Sequence, residues 1–194
     1  MNDDALPAPT LHDLLAYRKA AIAVTATYLG LEDEFVGAVL SDRMDEWLDA
    51  ESGPREQMKT ERYDEYLGLL GREILVRYAA TAAEGLMADP GSPLASKRIM
   101  GDTGGLGLVD DVNAVVRVHE IFELLESPDA GDDAERILAH VKRQLCNYYS
   151  ACAYSLVKGQ LLPVIIEAAE QLYVKGPLTP LQVKELVIAE QERP

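Results

Sequence analysis

Residues 16–30, AYRKAAIAVTATYLG, constrain the fold of this chain more than any other segment. The segment is apolar along almost its whole length, so a helix formed from it should face other parts of the protein. Arg18 and Lys19 stand side by side within it, and a charged side chain is costly to bury without a partner. The fold must therefore either turn both cations to water or bring carboxylates to them.

Helical periodicity also dominates the rest of the sequence. Apolar residues recur every three or four positions in six segments, which we expect to be helices: 10–29, 60–87, 110–125, 132–158, 163–173 and 179–190. The helix over 60–87 should be interrupted near Gly68 or Gly71. The sequence thus predicts a mainly α protein.

Several residues mark the expected helix ends. Gly30, Gly159 and Gly176 each follow a periodic segment, where glycine is typical of a helix C-terminus. Thr179 followed by Gln182 is the pattern of a capping box at the start of the last helix. These signals set the expected boundaries between the helices. The sequence contains no repeat of fixed period.

The remaining segments complete the predicted organisation. Residues 35–40, FVGAVL, are the best candidate for a short strand, and 49–57 should form a loop because of their polarity, glycine and proline. The glycine-rich residues 88–111 should form a long loop of the kind that borders functional sites. We predict a flexible leader at 1–9 and, over 10–191, a single helical domain of about six helices with a small β element near residues 35–40.

Charge and cysteine content exclude some classes of function. The chain has 18 basic and 33 acidic residues, a net charge of −15, which disfavours binding to nucleic acid or to an anionic membrane. The longest apolar run is shorter than the roughly 20 residues of a bilayer span. Cys146 and Cys152 lie six apart within one predicted helix and should not pair with each other. We therefore expect a cytoplasmic protein that binds no nucleic acid or membrane.

Residues 119–123, HEIFE, are a candidate metal site. His119 and Glu120 begin the pattern of a zinc-binding helix, but Glu123 stands where that pattern needs a second histidine. No phosphate-binding glycine motif is present in the sequence. A metal-dependent hydrolase with a non-standard site around these three residues, or around the aspartates of the loop, is one interpretation.

Four segments resemble the FtsH-type zinc metallopeptidase domain. Residues 16–30 resemble its A-Y-H-E-A-G-H-A-V-V-A-x-x-L-G helix, and 74–87, ILVRYAATAAEGLM, its A-G-R-A-A-E-E-L-x-F-G helix. The glycine-rich loop leading to DDVNAVV is similar to its T-G-A-S-N-D-L-x-x-A segment. The C-terminal residues from YYSACAYS to LTPLQVKELV are similar to its closing helices. The four segments occur in the family's order over most of the chain.

The resemblance implies that the catalytic positions are degenerate. Arg18 occupies the place of the first zinc-ligand histidine, Lys19 that of the general-base glutamate and Ile22 that of the second histidine. Arginine and isoleucine offer a metal no lone pair. Asp110 or Asp111 corresponds to the third ligand, and the sequence does not choose between them. We therefore predict no metal and no cofactor.

A vestigial cleft should remain where the metal site was. Its residues would be the following: Tyr17, Arg18, Lys19, Glu84, Asp110 and Asp111. A cation of the first helix could replace the metal by pairing with Glu84, Asp110 or Asp111.

The resemblance also suggests a function. We predict a catalytically inactive, stand-alone relative of the peptidase domain that binds a protein or peptide. The resembled proteases assemble as hexamers around an ATPase ring. This sequence contains no ATPase motif, so we expect this chain to be a dimer or a monomer and not a hexamer. An α-helical protein of unrelated descent is a further interpretation, which the absence of a β element at 35–40 would favour.

Overall fold

The computed structural model describes residues 11–31, 37–38, 52–88, 108–125 and 132–192. The helices in these residues are α1 Leu11–Tyr28, α2 Ser52–Glu61, α3 Tyr63–Ala88, α4 Leu108–Leu125, α5 Asp132–Leu156, α6 Leu162–Lys175 and α7 Pro180–Gln191. A π-helical turn, Val157–Leu161, joins α5 directly to α6. Counting this joined segment once, the described residues contain six helices, and the prediction of a mainly α fold is confirmed.

The centre of the fold is formed by α1 and α3. Helix α1 packs against α3, α6 and α7, and α3 also packs against α4 and α5. Every residue from 18 to 27 of α1 is buried, and alanines at many of these positions let the neighbouring helices approach closely. A helix with neighbours on so many sides has little surface left on which to place a charge.

The prediction of a loop over residues 49–57 is wrong, because helix α2 occupies most of that segment. The helix begins at Ser52, so Gly53 and Pro54 lie in its first turn. Proline is tolerated there because the first amide groups of a helix have no carbonyl partner within it. Pro54 therefore accompanies the start of a helix instead of preventing one.

Two predicted helix breaks are also wrong. Helix α3 continues through Gly68 and Gly71 without interruption, and Gly159 lies within the π-helical turn that continues α5 into α6. A glycine inside a helix costs only about 1 kcal/mol relative to alanine. The packing of these helices against several neighbours outweighs that cost.

The predicted small β element near residues 35–40 is not seen as a strand in the part of the chain that the structure describes. Ala38 instead forms a single antiparallel β-bridge with Leu178, in which each residue's amide nitrogen donates to the other's carbonyl oxygen at 2.9 Å. Residues 35, 36, 39 and 40 lie outside the described residues. The bridge ties the segment after α1 to the segment before α7.

The predicted signals at the last helix and at two glycines are confirmed. Thr179 and Gln182 form the capping box at the start of α7, with Thr179 N donating to Gln182 Oε1 at 2.9 Å. Gly30 and Gly176 follow α1 and α6 with φ angles of 71° and 91°. The predicted leader, and residues 89–107 of the predicted glycine-rich loop, lie outside the described residues.

Within the described parts of the chain, one helical segment is long and apolar enough to cross a membrane. It runs from Glu135 to Lys175 through the π-helical turn, and 33% of its most apolar window is buried within the protein. Core helices of soluble proteins pass the same test, so this is weak evidence for a membrane span.

Candidate functional site

The two cations of α1 are buried. Arg18 is 3% exposed and Lys19 is 6% exposed. Arg18 Nη1 donates to Glu84 Oε2 at 3.3 Å, which joins α1 to α3 through an ion pair. The expectation that a cation of the first helix pairs with Glu84 is confirmed for Arg18, and the alternative that both cations simply face water is wrong.

Ile22 lies one helical turn beyond Arg18 and is also buried, at 3% exposure. The positions that correspond to the two histidine ligands and the general base of the resembled family thus lie inside the protein. They present to their surroundings an aliphatic side chain and two cations.

The backbone of Asp110 and Asp111 lies in the first turn of α4. Helix α4 packs against α3, the helix that carries Glu84. The side chains of both aspartates lie outside the described part of the structure.

A second buried ion pair connects α3 to α4. Glu73 is fully buried, and its Oε2 lies 3.0 Å from Arg117 Nε. Arg117 Nη1 also donates to Glu120 Oε1 at 2.7 Å. Both ion pairs use a glutamate of α3, and the two glutamates, Glu73 and Glu84, are eleven residues apart along that helix.

The three residues of the alternative metal site, His119, Glu120 and Glu123, have different surroundings. Glu120 is engaged by Arg117, while His119 and Glu123 are exposed on α4. Among the described residues, no three histidine, cysteine, aspartate or glutamate side chains are grouped so as to hold a metal ion.

Sequence reasoning missed that α3 carries charged residues inside the core, although the sequence of α3 contains a signal for buried charge. Glu73 and Arg77 lie four residues apart in an apolar stretch, and Arg77 is also buried, at 4% exposure. Two opposite charges one helical turn apart in a segment that is otherwise apolar indicate a charged network inside the core.

A small groove lies between α1 and α6. One of the residues that line it, Tyr17, directly precedes the buried Arg18 in the sequence. Its volume is about 130 Å³. Aromatic and aliphatic side chains form its walls and two carboxylates lie at its edge: Tyr17, Ala169, Tyr173, Val174, Asp13 and Glu170. Drug-sized ligands occupy pockets of roughly 300–1,000 Å³, so this groove fits a single side chain.

The carboxylates of Asp13 and Glu170 give the groove a negative electrostatic potential. Burial raises the pKa of the Tyr17 hydroxyl above its ordinary value, and the charges of Glu170 and then Asp13 raise it further. The hydroxyl therefore stays protonated at neutral pH and is available as a hydrogen-bond donor. Of the predicted cleft residues, Tyr17 faces this groove, whereas Arg18 and Glu84 meet inside the core.

Comparisons with known proteins give no relative. No family model matches the chain, and neither the curated proteins nor the solved structures contain a match.

Proposed function

We propose that this protein is a catalytically inactive relative of the FtsH-type zinc metallopeptidase domain and acts as a protein- or peptide-binding module. The observation that carries the proposal is the buried ion pair between Arg18 and Glu84. Arg18 corresponds to the first zinc ligand, and its guanidinium takes the place that a metal cation would fill.

The charges around α1 argue against metal binding. A divalent cation near Arg18 and Lys19 would meet two positive charges in a region that water does not screen well. It would also compete with Arg18 for the Glu84 carboxylate. Peptide hydrolysis in the resembled family depends on a metal-bound water, so we infer that this chain does not hydrolyse peptides.

The groove between α1 and α6 supports a binding role. Its walls are apolar, and its edge carries the carboxylates of Asp13 and Glu170. A lysine or arginine side chain fits this chemistry, because its methylene groups pack on Tyr17 and Tyr173 while its charge meets the carboxylates. We propose that the ligand is a peptide segment with a basic residue next to an apolar one.

We propose further that the protein acts in a reducing cytoplasm. Among the described residues, neither Cys146 nor Cys152 of α5 takes part in a disulfide, which fits a compartment where disulfides do not form.

Metal content tests the loss of the metal site. The wild-type protein should contain no stoichiometric zinc by elemental analysis, whereas a variant with Arg18→His, Lys19→Glu and Ile22→His should take up zinc. The matched control replaces the same three residues by alanine, which removes the cations without supplying ligands. Stoichiometric metal in the wild type would contradict the proposal and direct attention to His119 and its neighbours. A folded histidine variant that takes up no more zinc than the alanine control would contradict the correspondence of α1 with the zinc-binding helix.

Peptide binding tests the groove. On a peptide array with one central position varied, we expect lysine and arginine to be preferred. Val174→Lys should weaken binding by about tenfold, since Val174 lines the groove and a cation there would repel the basic residue of the ligand. Leu181→Lys is the matched control, because Leu181 is 65% exposed on α7 and does not line the groove. Equal effects of the two substitutions, or a preference for acidic residues, would refute this site.

A further inference from the structure

The groove between α1 and α6 receives the same two residue types from each helix. On α1, Asp13 and Tyr17 line it and lie four residues apart. On α6, Glu170 and Tyr173 line it and lie three residues apart. Residues at these intervals share one face of a helix, so each helix presents a carboxylate and a tyrosine to the same small cavity.

The base of the groove is apolar. Ala16 and Ala169 line the groove and are each 2% exposed, whereas Tyr173 and Val174 at its mouth are 55% and 79% exposed. An alanine side chain offers neither a hydrogen-bond donor nor an acceptor. A group that reaches the base of the groove therefore loses water and gains no hydrogen bond from these two side chains.

The charges around the groove suit a cation. Among the described residues that line it, none is basic. Lys175, which follows the lining residues of α6 in the sequence, donates from Nζ to Gln171 Oε1 at 3.3 Å. Burial, and then the charges of Glu170 and Asp13, raise the pKa of the Tyr17 hydroxyl, so both carboxylates lie close enough to act on this side chain.

Aromatic rings, carboxylates and an apolar base together discriminate between kinds of cation. The ammonium group of unmodified lysine carries three N–H donors and is strongly hydrated, so it loses hydrogen bonds at an apolar base. Methylation of the nitrogen replaces these donors by methyl groups and keeps the positive charge. A trimethylated ammonium thus gives up less hydration, and it retains its attraction to aromatic rings and carboxylates.

We propose that the groove between α1 and α6 recognises trimethylated lysine in a partner peptide. The methylated ammonium lies between Tyr17 and Tyr173, with its methyl groups on the buried alanines and its charge facing the two carboxylates. The cavity of about 130 Å³ takes the end of one side chain, while the peptide backbone stays outside its mouth. This inference rests on the proposed binding of a basic side chain in the groove and specifies the chemical form of that side chain.

Three forms of one short peptide provide the probe. The peptide consists of glycine and serine with a leucine beside one central position, which carries lysine, trimethyllysine or a neutral analogue in which carbon replaces the quaternary nitrogen. By isothermal titration calorimetry with the full chain, we expect the trimethylated form to bind at least about tenfold more tightly than the other two. The neutral analogue has the shape of trimethyllysine, so its weaker binding isolates the effect of the charge.

Substitutions at one tyrosine separate the aromatic ring from its hydroxyl. Tyr173→Leu should weaken binding of the trimethylated peptide by about tenfold because it removes a ring, whereas Tyr173→Phe should retain the affinity within about twofold. Tyr148→Leu is the matched control, since Tyr148 is 63% exposed on α5 and does not line the groove. These substitutions are at exposed positions, so they should leave the fold intact.

Several results would overturn the inference. If the lysine form binds as tightly as the trimethylated form and Val174→Lys weakens both, the groove binds basic side chains as proposed but does not select methylation. Equal binding of the neutral analogue would show that shape alone is recognised. Binding that Tyr173→Leu leaves unchanged would lie elsewhere on the protein, and tetramethylammonium that binds as tightly as the trimethylated peptide would make the ligand a free quaternary amine. If none of the three peptides binds, the proposed function of the groove fails together with this inference.

Discussion

At the scale of single residues, the Arg18–Glu84 pair illustrates how a core accepts a charge. The side chains of Arg18 and Glu84 are only 4% and 12% exposed, so each has given up most of its hydration. The attraction between them need not exceed that cost, and such a pair is often no more stabilising than two apolar side chains. Removing one partner is different, because it leaves the other charge buried without compensation.

Glu84→Gln should therefore lower the free energy of unfolding by about 3 kcal/mol, as measured by urea denaturation. The matched control is Glu65→Gln, which removes the carboxylate of the exposed ion pair between Arg62 and Glu65 and should cost less than about 1 kcal/mol. Similar effects of the two substitutions would mean that water reaches Arg18 once Glu84 is neutral.

Sequence reasoning could find some of these residues and not others. Glu84 was named as a possible partner of Arg18 because the resemblance implies that the two segments lie close together, and the ion pair between them agrees with that expectation. The pairing of Glu73 with Arg117 was not identifiable, since it depends on how α3 and α4 pack, and no local pattern fixes that packing. The groove was missed for the same reason, because α1 and α6 are distant in sequence.

At the scale of secondary-structure elements, periodicity and caps located most helices. The capping box of α7 depends on Thr179 and Gln182 alone, so the sequence predicted it fully. Glycine was a poorer guide. Gly68 and Gly159 lie inside continuous helical segments because contacts with other helices, which a local pattern does not contain, compensate for their weak helix propensity.

Two glycines should respond in opposite ways to alanine substitution. Gly37 has a φ angle of 102°, and a Cβ atom there would lie 2.2 Å from the carbonyl oxygen of Leu178, so Gly37→Ala should destabilise the protein by at least about 2 kcal/mol. Gly68 lies within α3 with open space around it, so Gly68→Ala should stabilise by about 0.5–1 kcal/mol. Both values can be measured by urea denaturation, and a neutral Gly37→Ala would contradict the close approach at the β-bridge.

At the scale of the whole molecule, charge is unevenly distributed. The net charge of −15 comes entirely from outside residues 136–166, which are basic. Repulsion among the acidic residues opposes the compact state, while the buried pairs of α1, α3 and α4 are shielded from salt by their burial. The two kinds of charge should therefore respond differently to ionic strength.

We expect the urea midpoint at pH 7 to rise as sodium chloride increases from about 0.01 to 0.15 M, because the screening length falls from about 30 to 8 Å. A variant with Glu185→Lys and Glu192→Lys, both exposed near the C-terminus, has a lower net negative charge and should show a smaller rise. Glu84→Gln should leave the rise unchanged, since that carboxylate is buried. A midpoint that falls with salt would show instead that attractive surface pairs outweigh the repulsion among the acidic residues.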